Sequence, residues 1–278
     1  MKSQVRPAGQ ERSDAPLPGT LPDRSSIPLQ EPVFGSIADE RAHRKARLAA
    51  AYRIFARFGY DHWVAGHITV RDPEYPDRFW VNPFAADWGR IRSSDLMLVD
   101  VDGTVLIGDG KLNGAAFAIH SAIHRARPDI NAVAHAHTPN GQAWSATGRP
   151  IEPVTQDACA FYGDHALFDE YSGVVYDTEQ ADRLALALGR NKAILLRHHG
   201  LLTVGNTVDE AAFWLHLLET CCATHLRLAA TMAGAPLPVI EHANALLAHD
   251  QVGLAAHGWL GFQPLWNQVV VETTDVFE

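Results

Sequence analysis

Apolar and polar positions follow two periods along this chain, and their order predicts helices alternating with short strands. Leu48, Tyr52 and Phe55 recur at helical spacing behind Ser36 and Asp39, either of which can cap a helix start, and Gly59 ends the run. Strand-like segments follow at 67–71, 79–82 and 96–101, and Asp102-Gly103 forms a hairpin turn into 104–107. Asn113 can cap a helix over 114–127 that stops at Arg127-Pro128-Asp129. Next come a strand at 131–135, a helix at 139–147 and a strand at 173–176. A helix at 178–188 and strands at 193–197 and 201–204 complete the alternation. A long helix over 208–233 carries Ala211, Trp214, Leu215, Leu218 and Cys222 as one apolar stripe. From Pro236 the pattern is less regular, with a helix around 241–249.

Mixed strands and helices in one block predict a single α/β domain over 36–278, a sheet covered by helices. Residues 1–35 differ. They hold six of the sixteen prolines, among Ser, Arg, Asp and Gly, with no periodicity, which reads as a flexible arm.

Composition narrows the function. A formal net charge of −9 with no basic patch argues against a nucleic-acid partner. Cys159, Cys221 and Cys222 are too few for a disulfide framework and show no CxxC spacing. The N-terminus has no charged-then-apolar leader, and no apolar run approaches the roughly 20 residues needed to span a bilayer. A soluble cytoplasmic protein without a membrane partner is expected.

The chemistry is concentrated in histidines. In a strand, residues two apart point to one side, so His135 and His137 can present two imidazoles to one point. His199, at the end of the apolar run from Ala193, can supply a third. Three neutral imidazoles hold a divalent metal and leave coordination positions open, as catalytic sites do. His198 should point away by strand alternation. His120 and His124 share a helix face, where packing and hydrogen bonding is the simpler reading. His62, His67 and His165 are weaker candidates. Gly66-His67-Ile68-Thr69-Val70-Arg71 can form an anion-holding loop with Arg71 as a fork for carboxylate, or be an ordinary strand ending in a surface arginine. Trp63, Phe79, Trp80, Phe84 and Trp88 can line an apolar pocket, although core packing is the commoner fate of such residues.

In order along the chain, Gly66–Arg71, Ser94-Asp95 leading into Leu98-Val99-Asp100, and His120 with Arg127-Pro128-Asp129 form one ordered set. His135-Ala136-His137-Thr138 and Arg197-His198-His199-Gly200-Leu201 complete it. With this set the chain resembles the class II aldolase/adducin superfamily over roughly residues 40–235. The resemblance implies a three-layer α/β/α fold with a central mixed sheet, a homotetramer, and His135, His137 and His199 as metal ligands. Family aldolases carry a glutamate, a metal ligand and proton carrier, four residues before the histidine matched by His120; here that position is Ala116. Alanine can neither bind metal nor carry a proton. His67 likewise stands where sugar-phosphate aldolases have Asn.

Gln156–Tyr162 and Phe79–Pro83 resemble an aromatic-handling branch of the superfamily, which includes the bifunctional non-haem iron oxygenases of aminocoumarin antibiotic biosynthesis. That resemblance implies an Fe(II) enzyme using dioxygen to decarboxylate an aromatic 2-oxo acid, such as a prenylated 4-hydroxyphenylpyruvate, to a mandelate or benzoate. Arg71 is then the expected catalytic group that steers the carboxylate. His67, Trp80, Trp88, His120 and Tyr162 are the other expected substrate contacts. Zn or Mn would instead suit a lyase, an aldolase or decarboxylase, and an adducin-like interaction protein is the non-catalytic alternative.

Overall fold

The structure, a computed structural model, describes residues 31–278 apart from 176 and 177. Helix α1 (Ile37–Arg57) starts where Ser36 Oγ accepts from the Asp39 amide at 3.1 Å, and it buries Leu48, Tyr52 and Phe55. There follow β1 (His67–Arg71), β2 (Arg78–Val81), β3 (Met97–Asp100), β4 (Val105–Ile107), α2 (Gly114–Ala126), β5 (Ala132–Ala136) and α3 (Pro139–Ala146). The chain continues through α4 (Gln156–Cys159), β6 (His165–Phe168), α5 (Thr178–Leu188), β7 (Ala193–Leu196), β8 (Gly200–Gly205) and α6 (Val208–Met232). Helices α7 (His242–Val252) and α8 (Ala255–Glu272) close it.

The eight strands form one mixed sheet in the order β4-β3-β2-β1-β5-β8-β7-β6, antiparallel except where β6 runs parallel to β7. Alternation assigns its two faces. Ile68, Val70, Trp80, Ala132 and Ala134 pack with α1 and α6, whereas Val133, Ile194, Leu202 and Val204 pack with α2 and α5. This is the expected three-layer α/β/α arrangement.

Three differences from the sequence pattern have physical causes. The strand expected over 173–176 is absent at 173–175, where Val174 is exposed, and Tyr176 lies outside the described residues. The sheet edge beside β7 is taken instead by β6, whose four mostly half-buried residues show little periodicity. The tail holds α8, masked in the sequence by Gly258, Gly261 and Pro264. Those glycines are there for contact: a Cβ would stand 2.7 Å from Trp214 at position 258 and 2.3 Å from Phe213 at 261, so α8 can lie directly on α6. Of the expected N-terminal arm, residues 1–30 lie outside the described residues, and 31–35 have no regular structure.

The α1–α6–α8 contact encloses a buried polar group. Arg47 lies 3.2 Å from Asp209, donates to Gln263 Oε1 at 2.8 Å and covers the Trp266 ring. Removing one member of a buried ion pair strands the other charge in a dry core. Asp209→Ala should therefore lower the unfolding free energy in urea by about 3–5 kcal/mol. An unchanged urea midpoint would show that the pair contributes nothing.

Candidate metal centre

Three strand ends meet at one edge of the sheet: the start of β1, the end of β5 and the turn before β8. His135 and His67 are directly paired across β5 and β1, so both side chains face α2. His137 follows the end of β5. His199 comes from the β7–β8 turn rather than from a strand, and His198 there has φ 58°, the left-handed conformation that carries the chain around the turn. His198 is exposed and touches the Tyr171 ring, so it does point away from the site, through a turn and not through alternation.

One ligand nitrogen from each of His135, His137 and His199 falls within 4.8 Å of the others. Among the described residues this is the one such group of histidine, cysteine or carboxylate donors. The His135 Nδ1–H donates to the Leu201 carbonyl at 2.8 Å, which leaves the Nε2 lone pair for a metal. Burial pushes all three imidazoles toward the neutral form. His199 falls to about 4 through burial and then the neighbouring His137, and His137 is lowered by burial and by His62. His135 is also driven well down by burial, so protons compete little with a metal at neutral pH. The donor set fits a divalent metal with open positions.

Two features fix this geometry. Gly66 has φ +88°, and a Cβ there would stand 2.8 Å from the His135 carbonyl oxygen and 3.1 Å from Trp88, so only glycine allows β1 to start against β5. The Glu219 carboxylate, on α6, accepts from the amides of Asn140 and Gly141 at 2.9 and 2.6 Å. It thereby pins the start of α3 three residues beyond His137. Sequence reasoning missed Glu219. Its signal is a carboxylate inside the apolar stripe of the long helix.

A cavity enclosing about 570 Å³, its mouth included, runs from this edge between β1–β3 and the start of α2. Its wall includes Trp63, His67, Phe79, Phe84, Trp88 and Phe117, with Ala116 beside them and, among the described residues, no charged side chain. Asn82 and Asn113 supply its amides, and neither was singled out as a contact from sequence.

The structure sorts the expected contacts. His67 and Trp88 line the cavity. His120 is fully buried behind His67, the ring centroids 3.6 Å apart. Trp80 is turned away: it pairs with Val70, faces α1, and donates its indole N–H to Asp72 at 2.9 Å. Tyr162 bonds His242 at 2.9 Å and does not line the cavity. Arg71 is also not a carboxylate fork. It ends β1, four residues beyond His67, and its guanidinium donates to the carbonyls of Pro76, Ile130, His124 and Arg127. The guanidinium is thus turned to these carbonyls and to the His124 ring, and Arg71 does not line the cavity.

The Class II Aldolase and Adducin N-terminal domain model matches residues 46–226. Over 247 residues, 88% of each chain, the sequence is 46% identical to 4-hydroxy-3-prenylphenylpyruvate oxygenase/4-hydroxy-3-prenylbenzoate synthase of Streptomyces roseochromogenus subsp. oscitans. It is 45% identical to decarboxylase NovR of Streptomyces niveus over 89% of this chain and 91% of that one. The structure of L-fuculose 1-phosphate aldolase from Glaciozyma antarctica PI12 superposes with a TM-score of 0.81 at 41% identity, covering 89% of this chain and 97% of that one. The chain belongs to the family of the class II aldolase and adducin N-terminal domain.

Proposed function

We propose that this protein is a non-haem Fe(II) oxygenase that oxidatively decarboxylates an aromatic 2-oxo acid of the prenylated 4-hydroxyphenylpyruvate kind. One conjunction carries the reading: three convergent histidines with no acid at position 116, and next to them, across His67, a cavity walled by aromatic rings with no charged side chain among the described residues. The names of the two Streptomyces relatives, an oxygenase/benzoate synthase and a decarboxylase, point the same way. Iron held by His135, His137 and His199 would supply the one-electron chemistry that dioxygen requires. The residues do the rest. The Leu201 carbonyl orients His135, and the methyl of Ala116 puts no carboxylate in the cavity wall beside His67. Trp88, Phe79 and Phe117 take up the aryl group and exclude water from it. Among the described residues a sugar phosphate would find no cation in this wall.

The reaction balances without a second organic substrate. One dioxygen converts an arylpyruvate to a mandelate and carbon dioxide; a second converts the mandelate to a benzoate, carbon dioxide and water. The resemblance to an aldolase structure favours one rival, a zinc- or manganese-dependent lyase. Protein loaded anaerobically with Fe(II) should consume dioxygen when given an arylpyruvate, releasing carbon dioxide mole for mole. Equal turnover by zinc-loaded protein under strict anaerobiosis would establish the lyase instead. Assembly as a homotetramer and a cytoplasmic location belong to the same reading.

A further inference from the structure

Between β1 and α2 a column of polar side chains runs through an otherwise apolar layer. Thr69 and Arg71 follow His67 at two-residue spacing on one face of β1, and His120 and His124 answer them one helical turn apart on α2. Thr69 Oγ1 lies 2.8 Å from His120 Nδ1 and 2.9 Å from His124 Nε2. Arg71 Nη2 lies 3.3 Å from His124 Nδ1. His120, His124 and Thr69 are all at least nine-tenths buried.

The protons in this column can be placed by elimination. Arginine has donors only, so His124 Nδ1 must face it as an acceptor. A neutral His124 then carries its proton on Nε2 and donates it to Thr69 Oγ1. Threonine has a single hydroxyl proton, which must go to His120 Nδ1. A neutral His120 therefore carries its own proton on Nε2. Burial, with the Arg71 charge beside His124, keeps both rings neutral. The column has one direction, from Arg71 to His120.

At its end three nitrogens lack partners: His120 Nε2 and both ring nitrogens of His67. The backbone of Gly66 and Ala116 lies near the His67 ring but makes no hydrogen bond of good geometry with it. Buried polar atoms are seldom left so. The His67 ring lies against His120, 6.0 Å from His135, and lines the cavity.

We infer that Arg71, His124, Thr69 and His120 form a one-way hydrogen-bond relay that makes His67 a neutral donor to an acceptor oxygen of the substrate beside the metal ligands. The His67 ring stacks on the His120 ring, and sliding it off that face brings one of its nitrogens into line with the His120 Nε2–H. Its other nitrogen then bears the proton and donates it to the substrate. All three unpartnered nitrogens are satisfied by that shift and a single acceptor, which a carboxylate or carbonyl provides and an ammonium group does not. Resting on the oxygenase reading above for its substrate, the relay recognises the free oxygen of a chelated 2-oxo acid in a wall without cations. Arg71, His124, Thr69 and His120 are positioning residues; only His67 touches the substrate.

Zinc-loaded protein labelled with ¹⁵N-histidine tests this without turnover, since nitrogen shifts separate protonated from lone-pair ring nitrogens. His124 and His120 should both appear as the Nε2–H form, and phenylpyruvate should shift His67. Thr69→Val should weaken phenylpyruvate binding about tenfold, the size expected for one lost donor to a charged group, with zinc content unchanged. Thr69→Ser, which keeps the hydroxyl, should restore it. A His120 proton on Nδ1 would overturn the relay whatever the substrate is. Phenylpyruvate binding with His67 undisturbed would overturn its donor role and leave the oxygenase reading intact. Failure of phenylpyruvate to bind at all would remove both the reading and the donor role, while the relay's proton order would stand.

Discussion

Replacing His135, His137 or His199 singly with Ala should strip the protein of bound metal and abolish turnover while leaving the fold in place. The size of the effect follows from the closeness of the three donors, which lie within 4.8 Å of one another. With one removed, two imidazoles cannot enclose an ion. Losing even an outer partner of a metal ligand costs about 10–100-fold in affinity, so loss of a ligand should exceed about 100-fold. His198 is the control, because it is exposed on the turn, against the Tyr171 ring and away from the other three histidines. His198→Gly, which suits the left-handed backbone there, should keep its metal. Metal content after dialysis, read beside the melting temperature, checks each variant. Full metal retention in His199→Ala would refute the assignment.

The convergence of His135, His137 and His199 was legible because it rests on local rules. His-Ala-His on a strand fixes two imidazoles to one side, and a histidine before a glycine at a second strand end supplies the third. Strand alternation also governed what was misread. Trp80 and Phe79 are neighbours in sequence, yet the pairing of Trp80 with Val70 and of Phe79 with Arg71 sends them to opposite faces. Only the register decides which of them meets the cavity, and register is set by partners elsewhere in the chain. Arg71 failed for a similar reason. A lone arginine at a strand end looks free in sequence, but the carbonyls that occupy it come from Pro76, Ile130 and α2. Glycine misled in the tail, where Gly258 and Gly261 read as breakers but serve close helix contact. Glu219 was silent because nothing local ties it to α3, 78 residues away.

Ala116→Glu should suppress arylpyruvate-dependent oxygen uptake and make the protein hold divalent metal more tightly. Ala116 lies in the first turn of α2, one turn before His120, and lines the cavity beside His67. Its methyl adds no charge to a wall that has none among the described residues, which on the oxygenase reading lets a chelating substrate and dioxygen both approach the histidines. A carboxylate here adds a hard oxygen donor to three imidazoles, closing part of the open face. It also sets a negative charge against an incoming 2-oxo acid in a poorly solvated wall. Displacing a reactant by about an ångström already costs on the order of 10²-fold in rate, so a loss of that size or larger is expected. Ala116→Gln, close in volume but uncharged, separates crowding from ligation: it should slow uptake without tightening metal. Undiminished uptake in Ala116→Glu would show that position 116 does not face the metal. If the glutamate variant instead gained anaerobic cleavage of an aldol with zinc bound, the acid at this position would be what divides the family's lyases from this enzyme.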